Sequence, residues 1–512
     1  VGKGHFLNYN FQKLLKMKKI HIIIISCLLV FGSACDKYLD INEDPSFPQV
    51  AQGFALFPPL LANMVRGETF DSRFINQYVQ YWVSASAGNT HDRHGYVAGS
   101  DGMGEKWRQH YWALGTNIDL VIKDGVENNK WDYTGAAKAI RAWSWQSSTD
   151  YHGEMILKQA FEPNRYVFDY DSQEEIYAEV RRLCEDAIKD LSRTDYGKSL
   201  NRGDLVYGGD TDKWTRFVYA ILARNAHHIS NKSSYNPDKV IEFVDKSFRS
   251  NADNFNVPHN GSNTSDANFY GPLRSNLNAY IRSSYIVGLL DSTILGARDP
   301  RLPIMFTASP DGAFRGAVAG SGDPNAQAGN VRRIPNMFGE LGTGTGTGKW
   351  IFANNTPHHL ITYMELQFMK AEAAFIKGDR TLAYATFQNA VNAALDFCAV
   401  PAAAKTTFLA SRAIPQSAAA LTLSHIMVQK FIALYGHGGL ETWVDMRRYN
   451  YSPDVYTGFV LPTSLFPDNN GLPAQRVRPR FNSEYVWNRD ALAKIGADLP
   501  DYHTKPLWFT QK

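Results

Sequence analysis

Charge of one sign is what this chain lacks most clearly. Its 512 residues carry 53 Lys and Arg against 50 Asp and Glu, a formal +3. Even that surplus is local: five of the lysines (Lys3, Lys13, Lys16, Lys18, Lys19) precede Cys35 with no acid among them, leaving 48 basic against 50 acidic residues beyond, a balance of −2. So even a balance offers no electrostatic footprint for nucleic acid and no polybasic patch to hold a membrane surface. Cysteine is scarce as well, with four in the chain, and none has metal-site spacing. Cys184 and Cys398 lie among apolar helical neighbours and are expected as two buried thiols, with a bridge between them as the alternative. A long apolar run is missing too: the best stretch, Ile20 to Phe31, is broken by His21 and Ser26. It falls short of the roughly 17 to 25 apolar residues of a membrane span.

That short run has its own meaning. Met17-Lys18-Lys19 precedes it and Gly32-Ser33-Ala34-Cys35 follows, the basic, apolar and small-residue order of a secretory signal. The cysteine directly after the small residues makes the stretch resemble a bacterial lipobox, which implies a lipid on Cys35 and removal of everything before it. Residues 1–16 are expected to be an over-extended start, 17–34 the signal peptide, 35–59 a lipid-attached tether rich in Pro, Gly and acid, and 60–512 one domain.

Within that domain the apolar spacing is mostly helical. Leu60, Met64, Phe74, Tyr78 and Trp82 mark one helix, and Trp107, Tyr111, Leu114, Ile118 and Val121 another. Ser84 to Asp101 between them reads as a loop. Ser172 with Glu175 three residues on is a capping box that opens a helix whose buried stripe is Ile176, Val180, Leu183, Ala187 and Leu191. Asp212–Ile229 and Pro237–Phe248 continue the series. From about 251 to 361 the period dissolves into Asn, Ser, Gly and Pro, a loop-rich insert of the kind that carries binding or lid functions. Helices resume at Tyr363–Lys377 and Arg380–Phe397 around the Gly378-Asp379 turn, a pair similar to one tetratricopeptide unit. A last long helix is expected over Ser417–Tyr435, and little regular structure from Asn450 onward. The fold class is mostly α: a tetratricopeptide-like helical scaffold, mainly 60–250 and 362–448, with a large loop-rich ligand-binding portion.

Several motifs in a fixed order sharpen this. Asp36-Lys37-Tyr38-Leu39-Asp40-Ile41-Asn42 follows Cys35. Then come Lys138-Ala139-Ile140-Arg141-Ala142-Trp143, Asp150-Tyr151-His152-Gly153-Glu154, Lys213-Trp214, Leu222-Ala223-Arg224 and Asp299-Pro300-Arg301-Leu302. The later part adds Tyr363-Met364-Glu365-Leu366, Ala371-Glu372-Ala373, Gln429-Lys430, Glu441 to Arg448 and Pro479-Arg480-Phe481. In this order they resemble the SusD/RagB family of outer-membrane lipoproteins, most of all its second, SusD-like branch. Family members often have Tyr-Gly-Asp-Ile-Pro-Tyr where this chain has Tyr151-His152-Gly153-Glu154-Met155-Ile156. The resemblance implies a cell-surface protein, anchored to the outer membrane by lipid, that captures a glycan or sometimes a peptide. It further implies a TonB-dependent transporter of the SusC/RagA type as partner, with no catalysis and no cofactor.

Two other classes compete on residues: a surface glycoside hydrolase and a non-catalytic helical scaffold. Glu365 and Glu372 share a helix face but sit about 10 Å apart along its axis, too far for the carboxylates of a retaining glycosidase and beyond the inverting range. Glu441 and Asp445 stand beside Arg447 and Arg448, where ion pairing is the better reading. The histidine pairs His91/His94, His227/His228 and His358/His359 form no His-Glu-x-x-His helix, so no metal is expected. The Gly-Thr run before Lys349 fails as a phosphate loop, having Thr343 where Gly is needed and Trp350 after the lysine. Binding should therefore fall to aromatic rings, whose flat faces stack on the apolar face of a sugar while polar neighbours take its hydroxyls. Trp107, Trp112, Trp143, Trp145, Trp214 and Trp443 lie in helical motifs and are expected in the core. The candidates are Trp82 and Tyr96 at the first loop, with Asn89, Arg93 and Asp101, and Phe269, Tyr270 and Trp350 at the second.

Overall fold

Ser172 opens its helix as the sequence requires: its hydroxyl accepts from the Glu175 amide while the Glu175 carboxylate reaches back to Ser172 N–H, at 3.1 Å. Such reciprocal caps satisfy amide donors that no helical bond can reach. The computed structural model in which this is seen describes residues 51–341 and 346–512. The signal, Cys35 and the tether as far as Val50 lie outside the described residues, as does most of the Gly-Thr run.

The long helices are α1 (Gly53–Tyr78), α2 (Thr116–Glu127), α3 (Trp131–His152), α4 (Gln173–Leu191), α5 (Thr211–His228), α6 (Pro237–Lys246), α7 (Tyr363–Lys377), α8 (Arg380–Phe397), α9 (Leu423–Ala433) and α10 (Gly439–Arg448). Successive helices pack side by side, α2 on α3, α3 on α4, α4 on α5, α5 on α6, α6 on α7 and α7 on α8. The hairpin visible in the sequence, α7–α8, is thus one of a stack. Its turn is as expected, with Gly378 left-handed at φ 88° and Asp379 capping α8 through the Leu382 amide.

The helix α1 corrects the expected tether. It begins at Gly53 and runs through Pro58 and Pro59, although an interior proline removes a helical hydrogen bond. Packing outweighs that cost: Phe57, Leu60, Leu61 and Met64 are all within 1 % of complete burial, each gaining roughly 1.5–3 kcal/mol. Further along, α1 joins two apolar cores. Phe57 to Val65 pack with α2 to α6, whereas Ile75, Tyr78 and Val79 pack with α7 to α10. Cys184 belongs to the first core and Cys398 to the second, both as free thiols, in agreement with the expected pair.

The loop-rich insert is not a detached lid. Strand β1 (Trp82–Ser84) pairs antiparallel with β3 (Tyr280–Arg282), and β2 (Asn256–Val257) with β4 (His358–His359). Phe269, Tyr270, Tyr285, Leu289, Phe306 and Phe352 from the insert are buried in the same core as α7 to α10.

Beneath these apolar surfaces runs a buried ionic chain across five helices. Arg224 on α5 grips Glu365 on α7 at 2.6 and 2.9 Å. His228 lies between Asp150 on α3 and Glu441 on α10, at 3.1 and 3.0 Å. Lys430 on α9 joins Glu441 to Asp445, and Arg448 joins Asp445 to Glu372, with contacts of 2.6–3.1 Å. Although burial works against its charge, Glu441 and Asp150 push His228 up to about 9. Burial likewise opposes ionisation of Glu372, yet Arg448 and His227 hold it well below the usual carboxylate range. The four carboxylates weighed as acid–base candidates, Glu365, Glu372, Glu441 and Asp445, are therefore fully buried ion-pair partners.

Candidate functional site

The insert's burial decides where the expected binding residues lie. Trp82 is completely buried on β1, its indole N–H donating to Arg73 O at 2.9 Å and its ring edge-on to Tyr270. Tyr270 is 1 % exposed and shares a 2.5 Å hydrogen bond with Ser72 on α1, while Phe269 packs beside it. Trp350 is half-buried and stacks at 15° on Tyr435. These four rings, expected at open loops, are instead committed to packing because the insert folds back on α1 and the α9–α10 turn. Asn89 and Arg93 also have structural roles. Asn89 Oδ1 accepts from the His91 and Asp92 amides, and Arg93 donates to Ser464 O and Leu465 O at 2.8 and 2.9 Å.

Tyr96 and Asp101 differ. Both border a cleft of about 200 Å³ or its rim, between the 96–104 loop and the 476–485 segment. The Arg478 guanidinium lies 4.1 Å from the Tyr96 ring centroid, Phe466 and His503 meet the ring edge-on, and its hydroxyl donates to Asp468 at 3.2 Å. The phenol is thus fixed in orientation yet remains half-buried. Phe481 and Tyr485 form the opposite wall, stacked at 5.7 Å. Asp101 pairs with Arg480 and accepts from Asn482 at 2.7 Å, tying the two segments together. Burial, and then Arg478, push His503 down to about 4, so it is neutral at ordinary pH. Arg478 Nε, in the cleft lining, has no partner among the described residues.

A second, wider cleft of about 610 Å³ lies on the other side of Arg480, which lines both. Its walls include Trp107, Tyr111, Trp112, Phe161 and Phe168. Trp112, expected in the core, is 67 % exposed. The sequence held the signal for this: the buried stripe steps from Trp107 to Tyr111, Leu114, Ile118 and Val121 and passes over Trp112. Arg480 and Phe481 fall in Pro479-Arg480-Phe481, a motif that carries resemblance but no binding chemistry of its own, and Arg478 and Tyr485 carry no sequence signal because their segment has no period. Among the described residues no group of three or more His, Cys, Asp or Glu is placed to hold a metal ion, and no helix is long and apolar enough to cross a membrane.

Comparison with known proteins gives this helical stack a family. Residues 45–472 match the model of the second SusD-like family, described as starch-binding and associating with the outer membrane. The chain belongs to the SusD-like family. Solved structures share its fold: a SusD/RagB family protein from Bacteroides thetaiotaomicron is 21 % identical with a TM-score of 0.67, covering 90 % of this chain and 99 % of its own. A chitin-binding SusD homolog from Flavobacterium johnsoniae is 19 % identical with a TM-score of 0.68, covering 90 % and 98 %. A SusD homolog from Bacteroides fragilis is 16 % identical with a TM-score of 0.70, covering 90 % and 100 %. No functionally curated protein matches the chain.

Proposed function

We propose that this protein captures an oligosaccharide in the Tyr96 cleft and delivers it to a TonB-dependent transporter of the SusC/RagA type, breaking no bond. The observation that carries this reading is the Tyr96 ring, held by Arg478 at the mouth of a cleft walled by Phe481 and Tyr485. An aromatic face of fixed orientation favours the C–H face of a sugar, since no side-chain freedom is lost on stacking. The family's description as starch-binding and the chitin-binding relative point to the same ligand class. A lipid on Cys35 would hold the protein at the outer membrane facing outward, consistent with the family's association with that membrane.

Affinity electrophoresis against a polysaccharide panel, followed by calorimetry, tests the binding. One glycan class should be retarded, and Tyr96→Ala should weaken it without unfolding the protein. Release of reducing sugar by the purified protein would overturn the non-catalytic part. Failure to co-purify any TonB-dependent transporter from solubilised outer membranes would overturn the delivery part.

A further inference from the structure

The second cleft is built as carefully as the first, and the two meet at Arg480. Both of its facing walls are π-helical, Gln109–Gly115 on one side and Phe481–Tyr485 on the other. Wide turns of this kind are rare and concentrate at functional sites. The third wall carries Phe161 in a left-handed conformation, φ 65°, which a bulky residue adopts only where surrounding structure enforces it. Phe161 is held by Gly115, where an added Cβ would approach its ring to 2.6 Å. Irregular backbone therefore surrounds this cleft on three sides.

Trp112 stands at its edge as a prepared platform. Arg108 lies 4.1 Å from its ring centroid, and Arg108 is itself held by Glu105 at 2.9 Å. One face of the indole is covered, while its 67 % exposure leaves the other open. The Ser483 hydroxyl of this cleft's lining makes no hydrogen bond among the described residues. The charges nearby also select. Arg108 shares Glu105 with Arg66, and Arg480 pairs with Asp101. Glu484 receives only neutral donors, Tyr170 at 2.6 Å and Asn488 at 3.1 Å. Glu484 thus offsets the second cation on Glu105, and the cleft carries no surplus charge of either sign, which suits a neutral ligand.

We infer that the two clefts form one path for a neutral, extended chain of pyranose units: one part stacks at Tyr96, the chain crosses Arg480, and further units stack on Trp112. This rests on the oligosaccharide reading above and adds to it chain length, charge and a second platform. The first cleft alone is small for a ligand site, whereas the second lies within the usual range of roughly 300–1,000 Å³.

Calorimetry with gluco-, chito-, xylo- and manno-oligosaccharide ladders, from disaccharide to octasaccharide, tests it, with oligogalacturonates as the charged control. One neutral ladder should gain about tenfold in affinity as the chain lengthens. Trp112→Ala should cancel that gain and leave the disaccharide within about twofold, whereas Tyr96→Ala should weaken every length. The thermal midpoint of the Trp112 variant serves as the folding control. Affinity that is already complete at the disaccharide, or a length gain indifferent to Trp112→Ala, overturns the inference while leaving oligosaccharide capture standing. Tighter binding of the uronate ladder overturns the charge argument. Binding of no ladder overturns capture and path together.

Discussion

Two regions of this molecule handle their costly groups in opposite ways. Where α3, α5, α7, α9 and α10 meet, charged side chains are buried and every carboxylate is answered by a cation. Around Arg480 the charges stay near the surface, and it is the aromatic rings that are left without full cover. Buried ion pairs add little net stability over apolar packing but are severe on any change that leaves one member alone. An exposed ring gives up hydrophobic stabilisation that folding could have used, and is therefore a candidate for use by something else. The first region specifies how helices register against one another; the second is available to a ligand.

The contrast breaks most sharply at Arg448. Replacing it with Met leaves Glu372 and Asp445 buried without their shared partner, and should cost about 3–5 kcal/mol in denaturant unfolding. Trp112→Ala should change the same measurement by less than about 1 kcal/mol, since that ring is exposed. Equal losses at the two sites would show that the cleft is part of the scaffold.

Next in size is a pH effect confined to the scaffold. His228 titrates at about 9 in the folded protein against an ordinary 6.5. A raised value means the folded state holds the proton more tightly, so this stabilisation is complete below about pH 6.5. It is lost as pH rises through 9. The difference amounts to about 3 kcal/mol. Unfolding free energy measured from pH 6 to 10 should therefore fall, and His228→Gln should flatten that limb. On the acid side Glu372 and Glu441, whose folded values are depressed, contribute stability that is lost as pH falls below 4.5. Binding at the Tyr96 cleft should not follow the His228 limb, because His503, the histidine lining it, is already neutral there.

A smaller effect is expected on the cleft side. Tyr96→Ala removes a ring that contacts Arg478, Phe466 and His503. It should weaken glycan binding by about 1 kcal/mol, roughly fivefold, in calorimetry. Tyr96→Phe keeps the face and loses only the hydroxyl bonded to Asp468, so it should retain most of the affinity. If the Phe variant binds as poorly as Ala, hydrogen bonding rather than stacking is responsible.

Legibility in the sequence follows the range of the interaction. The Ser172 capping box and the Gly378-Asp379 turn were plain because their partners lie within four residues. The stacking of α3–α4 and α5–α6 was not, since only α7–α8 carries a recognisable repeat. Tyr270 was misplaced because its hydroxyl partners, Ser72 and Gly436, are 198 and 166 residues away. Tyr96 was legible as a loop aromatic, but Asp468, which fixes it, is 372 residues distant in a segment with no period. Trp112 was readable in principle, standing off its helix's apolar stripe. The helical motif around it points to the core, whereas its phase points outward.

The smallest effect concerns the thiols, and it tests whether each apolar core is as closed as the contrast requires. Cys184 sits in the core of α2 to α6 and Cys398 in that of α7 to α10. Burial pushes Cys184 far above its ordinary value and Cys398 up to about 12, so neither forms the thiolate that reacts. In the native protein neither should be modified by a thiol reagent at pH 8, and a reductant should leave the unfolding midpoint unchanged. Both should react once the chain is denatured. Native labelling of Cys398 alone would mean that the half of the scaffold packed against the insert opens locally, so that its core is less closed than that of α2 to α6.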